Sequence, residues 1–524
     1  MATAPGNQPD LANPSRISTG GIVFAIAFLT FVAARLWHLT GTCLWFDEVF
    51  SVHAARHSWP GMFKFVAADI IHPPLFYAVL KIWIALGGES LFWLRLLSVL
   101  LAVASIAPFY FLCRELNLKR NERNVTLMLI AVSGFLIKYA QEVRMYGLLL
   151  FLSVTSIWLF VKFARNSSHM SLAAVTVCHL LLVYTHYYGW LLVFAQACVV
   201  LIWYGKRLQS FLLSAAVLIF AYVPWLYAVA TFREPGRGLA QNIGWIKRPN
   251  AGDLAEFFLL LNKPFLFSQS TLDRADSFLI PWLALLLVGV ALAILFVRRW
   301  RERGFTEAER VMLVLAFVPL ILAAVLSWLL PHSIWGTRHL IISAVPFFIL
   351  AGIAIADLRP CWTKLMVLIG LTSVIVLAGA VYLLKPVPKL SWCEWNNLAN
   401  QIPAPTVGEP TPVVYTFEDL VAYHVWFAPA RAVTPSFKVK VVKGLPGVPD
   451  DPAFFLPRRF SEVETVPVSG IDGQHIWVAY RARRWDENRP PMSHVKTLGY
   501  QTRNVLASVA QGEQVFLVEL SRER

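Results

Sequence analysis

The sequence predicts an α-helical polytopic membrane protein of about eleven transmembrane helices, with juxtamembrane helices and a C-terminal extracytoplasmic α/β domain. Three observations predict it. The 524 residues are 57% hydrophobic and only 15% charged, whereas a soluble domain carries about 25% charged residues. Apolar runs of about 20 residues recur from residue 19 to residue 384, each long enough to cross a bilayer. Beyond Leu384 the chain turns less apolar and short strand-like runs replace the long ones.

Residues 1–18 are polar and rich in Pro and Asn, the composition of a disordered tail. Gly20–Trp37 is the first span. Ala33-Ala34-Arg35 resembles a signal cleavage site, but the many spans that follow make an uncleaved anchor the better reading. Residues 40–94 form a long loop containing the apolar piece Leu75–Leu86. As a helix that piece covers roughly 18 Å, short of a ~30 Å hydrocarbon core, so it should lie in the interface. Pro73 and Pro74 would start it, since proline is tolerated in a helix's first turn. The remaining spans are expected at about 93–113, 125–140, 145–163, 170–186, 187–204, 208–231, 278–297, 310–330, 339–356 and 364–384. A second large loop, 233–277, holds an amphipathic piece near Leu254–Asn262. Pro386 and Pro388 end the last span. In the domain that follows, 385–524, Pro412–Thr416, Gln474–Tyr480 and Gln514–Leu520 look like strands, and Leu390–Gln401 and Glu418–Trp426 look helical. The division is thus a tail (1–18), a transmembrane catalytic domain (19–384) and the α/β domain (385–524).

Charge sets the orientation. The net charge of +15 lies largely in short loops: Arg114, Lys119, Arg120 and Arg123; Lys162 and Arg165; Lys206 and Arg207; Arg298, Arg299, Arg301 and Arg303; Arg359 and Lys364. With Leu75–Leu86 kept out of the membrane, all of these fall on one side, as the positive-inside rule requires. The amino terminus is then cytoplasmic. The large loops and the C-terminal domain lie outside, on the periplasmic side of the inner (cytoplasmic) membrane. No basic run interleaved with aromatics offers a nucleic-acid groove. The six cysteines show no CxxC spacing. Cys43 and Cys393 would both face outside and could pair.

The polar clusters gather at that outer face. Asp47 and Glu48, in Leu44-Trp45-Phe46-Asp47-Glu48-Val49-Phe50, follow the first span. Carboxylates at a bilayer surface are costly and usually functional, although Asp ahead of a helix also serves as a cap. His72-Pro73-Pro74 follows Asp69, and His72 is placed to meet an anionic headgroup. Gln141-Glu142-Val143-Arg144-Met145-Tyr146 lies between two spans. There Arg144 suits a phosphate, with Glu142 orienting it or touching a sugar; a structural Arg–Glu pair is the alternative. Thr185-His186-Tyr187-Tyr188 and Gly336-Thr337-Arg338-His339 occupy two further outer junctions. They read as an aromatic belt and a snorkelling anchor, or as donor contacts. Arg95, near the outer end of the second span, could pair with Asp47 or Glu48 and hold the loop. His53 and His57, four apart, share a helix face that suits a metal, but no HExxH, cysteine pair or Asp-rich cage accompanies them. A divalent metal stays open, and no metal site or cofactor is assigned. No GxGxxG, P-loop or GxSxG occurs in a usable context.

One carboxylate, several cations and lipid-facing spans on an outer face suggest sugar transfer from a lipid phosphate. Nucleotide sugars are scarce outside the cytoplasm, whereas a lipid phosphate diffuses within the membrane. Such a transfer needs a base for the acceptor hydroxyl and positive charge for the departing phosphate. A phosphate leaves without a general acid, so one carboxylate suffices.

The chain resembles membrane glycosyltransferases of the GT-C type, in the bacterial family 39 group, related to dolichyl-phosphate-mannose protein mannosyltransferases and lipid A aminoarabinose transferases. The resemblance rests on Leu44-Trp45-Phe46-Asp47-Glu48, His72-Pro73-Pro74-Leu75-Phe76-Tyr77, Arg95-Leu96-Leu97-Ser98, Gln141-Glu142-Val143-Arg144-Met145-Tyr146 and Thr185-His186-Tyr187-Tyr188-Gly189. It covers about the first 200 residues well and the later spans loosely. It implies a polyprenyl-phosphate sugar donor, inverting transfer to a glycan, lipid or protein acceptor, Asp47 as base and His72 as a donor contact. Relatives often have Arg-Tyr where this chain has Arg338-His339, and no β-trefoil insertion of the protein mannosyltransferases is visible. Two other readings compete: a transporter or flippase for lipid-linked sugars, and an inactive glycolipid-binding relative. The spans are nearly charge-free at their centres, which disfavours transport. The intact Asp47-Glu48 disfavours inactivity. The sequence does not identify the sugar or the acceptor.

Overall fold

The structure, a computed structural model, describes residues 19–166, 168–233, 243–265, 279–302, 304–384, 389–405, 410–428, 437–445, 456–457, 460–510 and 513–522. The expected tail (1–18), Pro386, Pro388, Arg303 and much of the loop 233–277 lie outside the described residues. Helix α1 (Thr19–Leu36) leads to the long first loop, which folds as α2 (Phe46–Arg56), α3 (Trp59–Asp69) and α4 (Leu75–Gly87). Then come α5 (Leu91–Ala104), α6 (Ile106–Glu115), α7 (Arg120–Val132), α8 (Gly134–Ala140), α9 (Tyr146–Arg165), α10 (His169–Thr185), α11 (Gly189–Trp203) and α12 (Leu208–Phe232). A short helix, α13 (Ala251–Leu261), precedes α14 (Leu279–Arg301), α15 (Glu307–Leu329), α16 (Ile341–Ala356) and α17 (Cys361–Leu384).

Among the described residues seven helices are long and apolar enough to cross a membrane: 91–115, 146–165, 205–232, 279–301, 307–329, 337–356 and 361–384. The protein is a multi-pass membrane protein. The other four expected spans are shorter or broken. α1, α10 and α11 are short apolar helices, and the expected span 125–140 is interrupted at Ser133 between α7 and α8. The break has a cause. The Ser133 hydroxyl donates to Leu261 O (2.8 Å), Gly134 N donates to Lys263 O (2.8 Å) and Phe265 N donates to Val132 O (2.8 Å). The segment after α13 thus takes over backbone groups the helix would have used. Arg35 of α1, fully buried, donates to Ile130 O and Ala131 O, both at 3.3 Å. A cation at the carbonyl end of α7 suits its dipole.

Packing follows the bilayer. α16 is almost wholly buried and lies against α7, α14 and α15. α12 and α17 keep large apolar residues such as Phe220, Tyr227 and Leu384 exposed, as lipid-facing helices should. Leu75–Gly87 does start after Pro73 and Pro74, with Pro74 as N-cap. It is pinned to α5 by Trp83 and Trp93, stacked at 4.1 Å, each indole N–H donating to the other's carbonyl (2.7 and 2.8 Å).

The two ends of the bundle differ in chemistry. At one end Arg165 pairs with Glu307 (2.8 Å), Arg299 with Glu309 (2.8 Å), Arg298 with Asp357, and Arg207 donates to Ala164 O. Four of the basic loops therefore meet there. The other end carries Asp47, Arg95, Arg144 and Arg338.

The C-terminal part begins with α18 (Ser391–Ala399), β1 (Val413–Thr416), α19 (Asp419–Phe427), β2 (Lys438–Lys443) and β3 (Glu464–Pro467). It ends with β4 (His475–Ala482), α20 (Met492–Thr497), β5 (Tyr500–Ala510) and β6 (Glu513–Arg522). The six strands form one sheet in the order β3-β2-β1-β4-β6-β5. Contacts among β1–β4 are parallel, whereas β6 pairs antiparallel with β4 and β5. The expected strands correspond to β1, β4 and β6, and the two expected helices to α18 and α19. Sequence reading missed β2, β3 and β5. The outer strand β5 is largely exposed and so lacks the apolar pattern that marks a buried strand. Cys43 and Cys393 form a disulfide, joining the loop before α2 to α18, with Cα atoms 5.3 Å apart.

Candidate active site

The site is built around the first turn of α2, whose residues point three ways. Glu48 points inward and is fully buried. Arg95 donates to both its oxygens, from Nε (3.0 Å) and Nη2 (2.9 Å). Val143 N (2.9 Å) and Trp45 N (3.1 Å) donate to them as well. Arg95 also reaches Leu39 O, Thr42 O and Cys43 O at 2.8–2.9 Å, so it ties the end of α1 to the start of α2. Of its two possible partners, Arg95 therefore takes Glu48. This pair leaves Glu48 no free lone pair for chemistry, and the bond to Trp45 N is the helix cap that a Glu at the third position makes.

Asp47 points into a different environment. Its side chain is about one-fifth exposed, with Oδ2 3.0 Å from Arg338 Nη1 and 3.9 Å from Arg144 Nη2. Arg144, buried, also donates to Asp47 O (3.1 Å) and to Ser51 Oγ (3.3 Å), while Ser51 donates to Asp47 O (3.0 Å). Asp47 and Ser51 are one turn apart and share the face that meets Arg144. The Arg144 guanidinium therefore partners Asp47 and not Glu142. The Glu142 side chain faces Lys138 instead, at 3.9 Å across one turn, which corrects the expected Arg–Glu arrangement. Glu142 is 2% exposed and its Oε2 accepts no hydrogen bond among the described residues. Burial pushes its carboxyl up to about 7, against the pull of Lys138.

His72, His186 and His339 converge on the same place from three junctions. Their rings stand 4.6–6.3 Å apart, and one nitrogen of each lies within 4.8 Å of the others. The junctions are stitched together: the Tyr187 hydroxyl donates to Ile70 O and the Tyr188 hydroxyl to Ile334 O. His72 lies 3.4 Å from Arg144 Nη2. Burial, and then the Arg144 guanidinium, push His72 well below the usual imidazole range.

Three imidazoles can hold a metal, but the proton positions argue for another ligand. Tyr188 N donates to His186 Nδ1 at 3.0 Å. A neutral imidazole accepting at Nδ1 carries its proton on Nε2. Metal-bound histidines have the opposite arrangement, with the second nitrogen donating outward. His186 Nε2 is buried and without a partner among the described residues, as is His339 Nε2. A buried N–H donor on a ring 4.6–5.3 Å from two other imidazole rings, one of them beside Arg144, suits an oxyanion. The buried hydroxyls of Tyr77 and Tyr146, also unpartnered among the described residues, add two more polar groups to this pocket.

The predicted site residues Asp47, His72, Arg144, Tyr146, His186, Arg338 and His339 thus come together at one end of the bundle. Glu142 belongs to the same wall, and Arg95, Pro73 and Pro74 lie behind it. His53 and His57 lie with their rings 4.9 Å apart, and among the described residues no third ligand joins them. His53 Nδ1 is 2.9 Å from the Tyr423 hydroxyl, and His57 Nδ1 is 2.9 Å from His53 O. Sequence reading missed Ser51, Tyr77 and Lys138. Ser51 was legible as the residue one turn beyond Asp47, and Lys138 as a cation one turn before Glu142. Tyr77 stood in the sequence only as the last residue of the motif His72-Pro73-Pro74-Leu75-Phe76-Tyr77, with no role assigned to it.

No protein-family model matches the chain, and no curated protein matches it. Among solved structures, ArnT from Cupriavidus metallidurans bound to undecaprenyl phosphate superposes with a TM-score of 0.56 at 13% identity, covering 96% of this chain and 98% of that one. ArnT from the same organism in the apo state gives 0.54 at 13% identity, over 95% and 97%. At that identity the likeness is one of fold, and it extends over membrane helices and C-terminal sheet alike.

Proposed function

We propose that this chain is a glycosyltransferase that moves a sugar from a polyprenyl-phosphate donor to a hydroxyl acceptor on the outer face of the cytoplasmic membrane. The ArnT structure that shares its fold contains undecaprenyl phosphate. The observation that carries the reading is the Asp47 carboxylate held between Arg338 and Arg144 beside unpartnered imidazole nitrogens. In this arrangement the Asp47 carboxylate is the anion that the two guanidinium groups share. A phosphate entering from the membrane draws both guanidinium groups to itself, and His72, His186 and His339 complete its cradle. That frees Asp47. Its carboxylate then takes the acceptor proton, the acceptor oxygen bonds to the anomeric carbon, and the carbon–oxygen bond to phosphate breaks with its electron pair leaving on the phosphate. A single displacement inverts the anomeric carbon. Glu142 and Tyr146 are assigned to the sugar. Glu48, Arg95, Pro73 and Pro74 hold the frame, so Glu48 is a positioning group and Asp47 the base. Residues 19–384 form the transferase domain, and residues 385–524 an extracytoplasmic domain.

The test is release of polyprenyl phosphate by purified protein from a radiolabelled polyprenyl-phosphate sugar, with mass analysis of the acceptor. Asp47→Asn keeps the shape but cannot take a proton, so turnover should fall about 10²- to 10⁴-fold. Transbilayer movement of the lipid in vesicles without release of its sugar would overturn the reading in favour of transport.

A further inference from the structure

The sheet domain reaches the proposed base directly. Cys43, four residues before Asp47, is disulfide-bonded to Cys393 in α18. α18 packs on β5, β6 and α19. α19 in turn lies along the third face of α2, opposite neither Arg95 nor Arg144. The Phe46 ring, adjacent to Asp47, meets the Tyr423 ring edge-on at 5.2 Å. Two turns on, His53 Nδ1 is 2.9 Å from the fully buried Tyr423 hydroxyl, and its ring packs on Trp426 (4.8 Å) and Phe460 (5.2 Å). Arg56, at the end of α2, stacks over Phe427 at 4.7 Å. α19 is itself anchored to the sheet by Lys443–Asp419 (2.8 Å) and Arg481–Glu418 (2.6 Å).

α2 is thus held by the membrane domain and, on the face of Phe46 and His53, by the sheet domain. Arg95 and Glu48 set its depth, and Arg144 meets the Asp47–Ser51 face. α4 and α3 hold its far end, where Lys81 donates to Ala55 O (3.1 Å) and His57 O (2.6 Å) and Arg56 pairs with Glu89 (2.7 Å); α19 and the disulfide hold the first turn, which carries Asp47, from the sheet domain's side. A carboxylate acting on an acceptor must be placed within about 0.5 Å, and a displacement of about 1 Å can cost 10²-fold in rate. The donor-phosphate groups, in contrast, come from junctions of the membrane helices and touch the sheet domain nowhere in the contacts above.

We propose that the C-terminal sheet domain is a positioning domain for the base, acting through Tyr423 and the Cys43–Cys393 disulfide, so that its attachment controls turnover and not donor binding. This rests on Asp47 being the base. The disulfide stands on the face assigned to an oxidising compartment, where such bonds persist. Attachment is then reversible in principle: two electrons from a thiol reductant open the bond to two thiols, and an oxidant closes it.

The experiment uses the full-length protein in detergent or nanodiscs. Wild type, Tyr423→Phe, Cys43→Ser/Cys393→Ser and Asp47→Asn are compared for kcat, donor KM and thermal unfolding, with and without dithiothreitol. Reduction of the wild type should lower kcat on the order of tenfold or more, leave donor KM within about twofold, and reverse on reoxidation. The double serine variant should show the lowered kcat from the start and ignore dithiothreitol, although Cys113, Cys178, Cys198 and Cys361 remain as free thiols. Tyr423→Phe, which keeps the ring and removes the hydroxyl, should lower kcat without raising donor KM. Unchanged kcat on verified reduction and in Tyr423→Phe would overturn the proposal. So would a loss of kcat matched by a rise in donor KM and an early melt, since that is general loosening. Full activity of Asp47→Asn would instead overturn the base assignment, whatever the disulfide does.

Discussion

Two adjacent carboxylates should fail in different ways when neutralised, and the structure says how. Glu48→Gln removes one member of a buried ion pair. Arg95 is 3% exposed and Glu48 fully buried, so the guanidinium left behind keeps three backbone carbonyls but loses its counter-charge. Breaking a buried pair from one side costs about 3–5 kcal/mol. Gln also presents an N–H₂ where an oxygen now accepts. With Arg95 on both oxygens, Val143 N on Oε1 and Trp45 N on Oε2, either amide orientation faces donor to donor. We therefore expect Glu48→Gln to lose that order of stability, read as a lower melting temperature and a lower yield of folded protein in detergent. Asp47→Asn touches a side chain that is one-fifth exposed and has no backbone donors on its oxygens in the bonds described. It leaves Arg144 and Arg338 without their carboxylate, but at a partly solvated site, so it should lose less stability than Glu48→Gln while turnover falls about 10²- to 10⁴-fold. The assay is a melting curve and a donor-turnover measurement on the same preparations. A Glu48→Gln protein that melts like the wild type yet turns over nothing would refute the division and exchange the two roles.

Arg338→Ala and Arg144→Ala should each weaken binding of a short-chain prenyl phosphate about 10- to 150-fold, the loss expected for a charge-assisted contact of about 1.5–3 kcal/mol. Lysine at either position should restore only part of it, because it lacks the planar fork; phosphate titrations followed by ³¹P NMR or calorimetry check both. Glu142 has a carboxyl raised to about 7 from 4.5. The folded state therefore holds more protons than the unfolded chain between those values, and stability falls as pH rises through them. Glu142→Gln should gain on the wild type as pH rises from 4.5 to 8, a gap that parallel melting curves would show; a constant difference across that range would refute it. On orientation, Gly205 has open space around an added Cβ, and the Arg489 side chain is 68% exposed. A cysteine at Arg489 should label from outside the cell with an impermeant maleimide, and one at Gly205 should not; the reverse pattern would invert the topology.

What the sequence determined by itself was the fold class and a set of candidate polar residues, which the fold gathers at one end of the bundle. Apolar runs are written in consecutive residues, so the seven long spans are legible from the sequence, whereas the break at Ser133 and the shortness of α1, α10 and α11 are not. The partition of short basic loops is a sum over the chain and needs no folding to count. Asp47, His72, Arg144, His186 and Arg338 stood out because a polar residue beside a bilayer must have a reason to be there. Pairing lay beyond the sequence. Asp47 and Glu48 are neighbours with the same chemistry, and only the rotation of α2 sends one to Arg95 and the other to Arg338. The break at Ser133 depends on backbone donors and acceptors of a segment 130 residues away in the chain. The proton of His186 is placed by the backbone N–H of Tyr188, which no side-chain pattern records. Cys43 and Cys393 are 350 residues apart, and β5 is an edge strand without an apolar face. In each case the deciding partner is distant along the chain or belongs to the backbone. Composition and periodicity report where a residue wants to be, and tertiary structure alone decides what it finds there.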